Sequence, residues 1–474
     1  MQTKSECFML NYFPRYFSVR AMICYAITLA LVSSLFINYA MPFQFMVFGI
    51  VYVVVFFSYS NKLSQDWQKF KPSLFTKRLF VSALIIRVVY VVFIYFYYIE
   101  MTGQPHMFHA GDELFYLSLQ SYWKKDGFEY LIKELGYLGL SDRGFVVWLN
   151  FISLLFGEHV LIARIIKCFM DAFSCVLMYN LAKRNFGEAT GRMVAIFCML
   201  IPTNWYYCGV TLKESEMAFM VVLFVERADL ALRSKEITIG NLILPGVVAL
   251  VMFAFRTALA AVMVAALVAG IILSSGKQLE MWKKIMYTVA FAIWMLLTVG
   301  VEIMQDTQNL WERRTENQSI GYEEKLRKNN ANTFIQYASA STMAPLIFTI
   351  PISSMVQIEH QETQMMQNGA FFIKNILSGF TIFALFSMLF SGEWRKHVLP
   401  IAVTCGYLVV IVFSVFAHAE RFHFPVLAME LMFAAYGVTL MKNKHKRWYT
   451  IWLVFICIGI IGWNWIKLRG RGFV

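Results

Sequence analysis

Apolar runs of about 18–21 residues, long enough to cross the hydrocarbon core of a bilayer as helices, alternate along the chain with short polar stretches. They lie near 21–39, 43–59, 79–99, 160–182, 191–209, 215–232, 238–255, 257–274, 285–303, 371–391, 398–417, 423–441 and 449–466. Within each run the apolar residues are continuous rather than alternating, which is the pattern of a spanning helix and not of a barrel strand. The expected fold class is therefore all-α: a polytopic membrane helix bundle of about 12–13 transmembrane helices, with extracytoplasmic loops that bear short helices. Two further runs, 145–156 and 341–356, read as half-buried helices. No repeat or low-complexity tract divides the chain. Its parts are an N-terminal segment with two leading transmembrane helices (1–78), a membrane core with an acidic outer loop at 100–145 (79–303), an extracytoplasmic segment (304–370) and C-terminal transmembrane helices (371–474).

The side of each loop follows from Lys and Arg, which favour the cytoplasmic face. Lys4, Arg15 and Arg20 precede the first run, and Lys62, Lys69, Lys71, Lys77 and Arg78 follow the second. The same face then receives Lys183, Arg184 and Arg192, Arg233 and Lys235, Lys277, Lys283 and Lys284, Arg395 and Lys396, and Lys442, Lys444, Lys446 and Arg447. Only the tail cluster Lys467, Arg469 and Arg471 falls on the opposite face. The outer face keeps the loop at 100–145, the turn at 210–214, the turn around Arg256, the segment 304–370 and the turn at 417–423. Chemistry is expected there, outside the cytoplasm.

Composition narrows the class further. The chain is 59% hydrophobic and 15% charged, with a mean hydropathy of +0.58, whereas ordinary soluble domains carry roughly 25% charged residues. That excludes a soluble enzyme and a disordered scaffold. The net charge of +13 comes from the loop clusters, so nucleic acid is not an expected partner and the bilayer of the cell membrane is. Eight cysteines are scattered without CxxC spacing, which points to neither a zinc site nor a disulfide framework. Met1–Arg20 is long and mixed, and no small-residue cleavage site follows the first run, so no cleavable signal peptide is expected.

Four places on the outer face combine residues that could carry chemistry. In His109-Ala110-Gly111-Asp112-Glu113-Leu114-Phe115-Tyr116 two adjacent carboxylates stand about ten residues beyond the third run, where they are costly unless solvated, metal-bound or opposed by a cation. The plainer reading is a helix start with acids at its positive end. Pro202–Glu216 packs Lys213, Glu214 and Glu216 into one turn beside Trp205, Tyr206 and Tyr207; an aromatic belt with a snorkelling lysine explains the aromatics. Arg256 stands alone in an outer turn, where its planar fork suits a phosphate or a carboxylate, or simply lipid phosphate. His418-Ala419-Glu420-Arg421-Phe422-His423-Phe424-Pro425 forms another tight turn. Its Glu420 and Arg421 could be a surface ion pair, and its two histidines at i and i+5 make a poor metal site. In 304–370, the charge run Glu323–Lys328 reads as a solvated helix face, and Asn317-Gln318-Ser319 is a glycosylation sequon common by chance. Met343–Met355 is expected to lie as an amphipathic or re-entrant helix over a site.

Taken together these residues resemble the C-type glycosyltransferase superfamily, nearest to bacterial relatives of the protein O-mannosyltransferases and the lipid A aminoarabinose transferase. The resemblance rests on Gly111-Asp112-Glu113 with Tyr116 after an early span, then on Gly144-Phe145 through Phe156-Gly157-Glu158, Arg164, and Leu181–Gly187. It continues in Pro202 followed by Leu212-Lys213-Glu214-Ser215, and in Glu420-Arg421-Phe422-x-x-Pro425. It covers roughly 80–440, and the two leading spans look like an addition. It implies a membrane-embedded enzyme that takes a sugar from a polyprenyl-phosphate-linked donor and delivers it to a glycan, lipid or protein acceptor. By that resemblance Asp112 is the catalytic base or a metal contact, and Glu113 positions the acceptor or a divalent cation (Mg or Mn). Lys213, Arg256 and Arg421 are the candidates for the donor phosphate, with Tyr116, Glu214, Glu420 and His423 as further candidates. Glu214 stands where many relatives have Asp, and 304–370 offers no clear second acidic motif, so the metal stays an open question.

Two other readings stay open. A polysaccharide polymerase or ligase acting on undecaprenyl-linked glycans would rely on outer Arg and His more than on Asp112. A transporter or flippase of a lipid-linked substrate would show interior charges and internal symmetry; Asp171 and Glu226 are the interior acids the pattern shows, and no repeat is evident.

Overall fold

The computed structural model describes residues 10–234, 239–273, 346–412 and 419–469, which are almost entirely helical and contain no strand. The helices are α1 (Arg15–Leu35), α2 (Phe43–Asp66), α3 (Pro72–Thr102), α4 (Gly111–Leu119), α5 (Tyr122–Asp126), α6 (Phe128–Tyr137), α7 (Leu140–Phe156), α8 (Val160–Phe186) and α9 (Glu188–Leu200). They continue with α10 (Pro202–Cys208), α11 (Glu214–Arg233), α12 (Ile239–Phe253), α13 (Thr257–Leu273), α14 (Glu362–Met366), α15 (Asn368–Ser391), α16 (Val398–Val412), α17 (Glu420–Leu440) and α18 (Lys446–Arg469).

The described parts of the runs read as spans become helix, but not each becomes a full crossing. Six helices, α1, α2, α3, α15, α17 and α18, are long and apolar enough to span a membrane; a seventh span results if α7 and α8 count as one bent pair. α12, α13 and α16 are apolar but shorter, and the run at 191–209 is cut by Ile201 and Pro202 into α9 and α10. The run at 285–303, the sequon, the charge run at 323–328 and His418 lie outside the described residues. α1, α2, α3 and α18 show apolar side chains such as Ile27, Val54, Phe96 and Ile458 on their outsides, as lipid-facing helices do and soluble ones do not. This is a membrane protein.

The interior is built on α17, which packs against α9, α11 and α15. Gly437 allows its close approach to α15, since a Cβ there would come within 2.1 Å of the Phe380 carbonyl oxygen; small residues set such crossings. α7 and α8 meet at 113°. Gly157, at φ +82°, supplies a turn that residues with a Cβ rarely adopt. The run at 145–156 is thus a helix, as expected, turned aside from the bundle axis.

Hydrogen bonds sort the loops into two ends. At one end Arg192 donates to the Trp67 and Phe70 carbonyls at 2.6 and 2.8 Å, Arg233 donates to the Lys396 carbonyl at 2.9 Å, and Arg184 pairs with Glu226 and Asp229. These are the loops that carry the basic clusters. At the other end lie Asp112, Ser141, Thr211, Lys213, Arg256 and Arg421, joined by the contacts described below, and also Lys467, which donates to Gln361 and Gln364 at 3.1 and 2.7 Å. Among the described residues, Arg184, Arg192 and Arg233 thus lie at the end opposite Asp112 and Arg421, and Lys467 lies with the latter pair.

One expectation is overturned. The described part of the 341–356 run is no helix: beyond a short turn near Leu346–Thr349 it is irregular and mostly buried. Pro351 has no N–H to give, and the backbone polar groups here find side chains instead. Asn375 of α15 donates to the Thr349 and Pro351 carbonyls and accepts from Ser353 N. Asn464 of α18 accepts from Met355 N at 2.9 Å and donates to the Ser353 carbonyl at 3.2 Å, while Lys374 donates to the Ile350 carbonyl at 2.7 Å. Irregular backbone at membrane depth persists only when protein satisfies it in this way.

Candidate functional site

α4 begins with Asp112 and Glu113 in its first turn, where the unpaired N–H groups and the helix dipole favour negative charge. Adjacent positions leave a helix in different directions, and the two carboxylates have different surroundings. Glu113 turns inward and is fully buried. It accepts from Arg164 Nη2 and Thr211 N, both at 2.7 Å, and from Met107 N at 3.0 Å. Burial pushes its carboxyl up, but Arg164 and the two backbone N–H groups outweigh that and hold it below the ordinary value. Glu113 is thus an anion whose oxygens are occupied, tying α4 to α8 and to the turn before α11. Asp112 turns outward with its side chain 53% exposed and pairs with Arg421 at the start of α17.

The cation candidates gather at the same place. Lys213 Nζ donates to the Ser141 carbonyl and to Asp142 Oδ1, both at 2.6 Å, and Tyr116 donates to the same Asp142 oxygen at 2.6 Å. Burial draws the Lys213 amine down, and Asp142 offsets only part of that. Arg256 lies 3.9 Å from Glu214, donates to the Tyr407 hydroxyl at 3.1 Å, and stacks on the Phe422 ring at 4.4 Å. Arg421 approaches the same ring at 5.0 Å. Three cations (Lys213, Arg256, Arg421) thus face three carboxylates (Asp142, Glu214, Asp112). The cluster is balanced, so an incoming anion is held only by a cation that exchanges its carboxylate for the newcomer. Arg421, with its side chain 37% exposed, is the most accessible; Lys213 and Arg256 are at 10% and 13%.

Beside Arg421 opens a cavity of about 270 Å³, with Glu420, Gln367, Tyr207 and Trp463 among its walls. His423 is buried in α17 and does not line it. At the cavity's other edge His109 meets Glu362 at 2.8 Å.

Among the described residues, the donors at this cluster are not arranged to take a divalent cation. Asp112 and Glu113 each already face an arginine, and among the described residues no three His, Cys, Asp or Glu side chains converge.

Every candidate named from the sequence except His423 and Glu420 enters the ion-paired cluster or its direct support, and Glu420 lines the adjoining cavity. Sequence reasoning gave no role to Asp142, the partner of Lys213, nor to Arg164, which it noted only as part of a motif. The signal was there: Asp142 is a further acid in the same outer loop, and Arg164 is a charge inside an apolar run, which asks for a partner. Reading Asp171 and Glu226 as the interior acids also fell short, because Glu430 is buried in α17, 3.6 Å from Lys374. Asp171 itself is paired with the buried Arg87. No family model, curated protein or solved structure matches the chain.

Proposed function

We propose that this protein is an integral membrane glycosyltransferase that moves a sugar from a polyprenyl-phosphate-linked donor to a cell-surface glycan, lipid or protein, with its site on the extracytoplasmic face of the cell membrane. On this reading the shorter helices complete the crossings of a bundle of about 12–13 spans. The observation that carries it is the meeting of Asp112 and Arg421, 309 residues apart, within one cluster of exchangeable ion pairs at the end of the bundle away from the basic loops.

The chemistry needs a base for the acceptor hydroxyl and cations for the departing lipid phosphate. Arg421 connects the two. A donor phosphate that takes Arg421 releases Asp112 from its ion pair, so the base becomes free to accept a proton only when the donor is seated. The acceptor oxygen then bonds to the anomeric carbon, the bond from that carbon to the phosphate oxygen breaks, Asp112 takes the hydroxyl proton, and the lipid phosphate leaves as an anion against Arg421. Lys213 and Arg256 add positive charge at the rim, and Glu113 positions α4 without touching the reactants.

The test is mass spectrometry of lipid extracts and surface glycans from cells carrying wild-type protein or Asp112→Asn. The variant is expected to slow transfer by about 10²–10⁴-fold, so that a polyprenyl-phosphate sugar accumulates and one sugar disappears from the surface. Unchanged lipids and glycans at normal expression would remove the proposal. The buried Lys374–Glu430 pair is the observation that favours a transporter; movement of a lipid-linked substrate in proteoliposomes without chemical change would establish that reading instead.

A further inference from the structure

The 270 Å³ cavity beside Arg421 holds an unusual combination of polar and aromatic groups. Gln367 is 1% exposed, yet its Oε1 has no hydrogen-bond partner. The buried Oε1 of Glu420 has none either, although Tyr207 and Gln367 are hydrogen-bonding neighbours of that carboxylate. Buried oxygens without partners are uncommon, and each costs free energy until something donates to it. Here two of them border one cavity. At its edge Lys467 donates to the carboxamide oxygens of Gln361 and Gln364, which leaves their NH₂ groups to donate elsewhere. Tyr207 and Trp463 add ring surface.

From this geometry we infer that the cavity is the glycosyl subsite of the donor, taking a sugar through its hydroxyls at Gln367, Glu420 and Gln364 while Arg421 holds the attached phosphate. A hydroxyl both donates and accepts, so it satisfies the orphaned oxygens and the carboxamide NH₂ groups alike. A neutral apolar ligand satisfies neither. Arg421 lines the cavity and also pairs with Asp112. A phosphate at Arg421 therefore has its sugar directed into the cavity and its reacting carbon beside the base. This assignment rests on the glycosyltransferase reading for which sugar occupies the cavity, and it adds Gln367 and Gln364 as residues that set the choice of sugar.

The test uses the full-length protein in lipid nanodiscs, with inorganic phosphate and a panel of sugar 1-phosphates (glucose, galactose, mannose, N-acetylglucosamine and arabinose) as probes, read by calorimetry. At least one sugar phosphate is expected to bind about tenfold more tightly than inorganic phosphate, the worth of one or two added hydrogen bonds. Gln367→Leu is expected to remove that advantage while leaving phosphate binding intact, which also shows that the variant is folded; Gln364→Leu, at the cavity's edge, is expected to reduce it. Arg421→Gln is expected to weaken all probes. The inference is overturned if no sugar phosphate exceeds inorganic phosphate, or if both Gln variants keep the full preference. A preference for sugar phosphates alongside an unchanged lipid and glycan profile in Asp112→Asn cells would sink the transferase reading and leave the sugar subsite standing.

Discussion

Asp112 and Glu113 leave α4 about 100° apart, and that angle separates chemistry from support. Glu113→Gln keeps the shape and removes the charge, leaving Arg164 buried without its counter-ion. Breaking such a pair costs about 3–5 kcal/mol. Asp112→Asn breaks a pair that is largely exposed, worth about 0–1 kcal/mol. Thermal unfolding in detergent is therefore expected to show a large drop in midpoint for Glu113→Gln and almost none for Asp112→Asn, while sugar transfer fails in both. Equal melting of the two variants would contradict the assignment. The pH dependence follows the same logic. A carboxyl held below its unfolded value stabilises the fold above that value, about 4.3 for Glu, and loses the contribution as pH falls toward the folded value. The gap in stability between wild type and Glu113→Gln should thus be full at neutral pH and shrink as the pH drops below about 4.3. A gap that widens in acid would reverse the sign and refute the depressed carboxyl.

At the scale of elements, the segment Ile350–Val356 shows how an apolar stretch can sit in the interior without being a helix. Asn375 serves two backbone groups of this segment and the Thr349 carbonyl just before it, and Asn464 serves two. Asn375→Leu is close in size but leaves those groups unpaired at about 1–3 kcal/mol each, so the full-length variant should unfold many degrees below wild type. Asn61→Leu, at a partly buried site that serves only the Phe13 carbonyl, is the milder comparison. Comparable melting of the two variants would show that the Asn375 network does not hold the segment. The same segment marks where sequence reading stops. Helix existence was legible in the runs read as spans because continuous apolar stretches dictate it, and the ends of α13, α15 and α17 fall within a few residues of the runs. The irregular segment was not legible, since Asn375 lies 22 residues from Ser353 and Asn464 lies 109 from Met355, and hydropathy carries no information about such partners. The candidate site was legible in its members, because charge beside hydrocarbon is rare enough to notice. It was not legible in its pairings: Arg164 was noted without a role, and Asp142 passed for one more loop acid.

For the molecule as a whole, the decisive property is that the ion-paired cluster and the basic loops occupy opposite ends of the bundle. Arg192, Arg184 and Arg233 bind the loops at one end, and Asp112, Lys213, Arg256 and Arg421 gather at the other. On the proposed reading, the excess of Lys and Arg that would orient the chain in a membrane puts the site outside the cytoplasm, where a transferase using a lipid-linked donor would meet a surface acceptor. Two exposed lysines test this directly: Lys71, in the loop before α3, and Lys133, in α6 within the outer loop at 100–145. Lys133→Cys should react with a membrane-impermeant maleimide on intact cells, and Lys71→Cys only after the cells are permeabilised, each measured above the wild-type background. The reverse pattern would put the cluster in the cytoplasm, where soluble nucleotide sugars make a lipid-linked donor unnecessary, and the proposed reaction would lose its premise. The orientation of the bundle therefore decides between whole classes of donor, and a single pair of labels reads it.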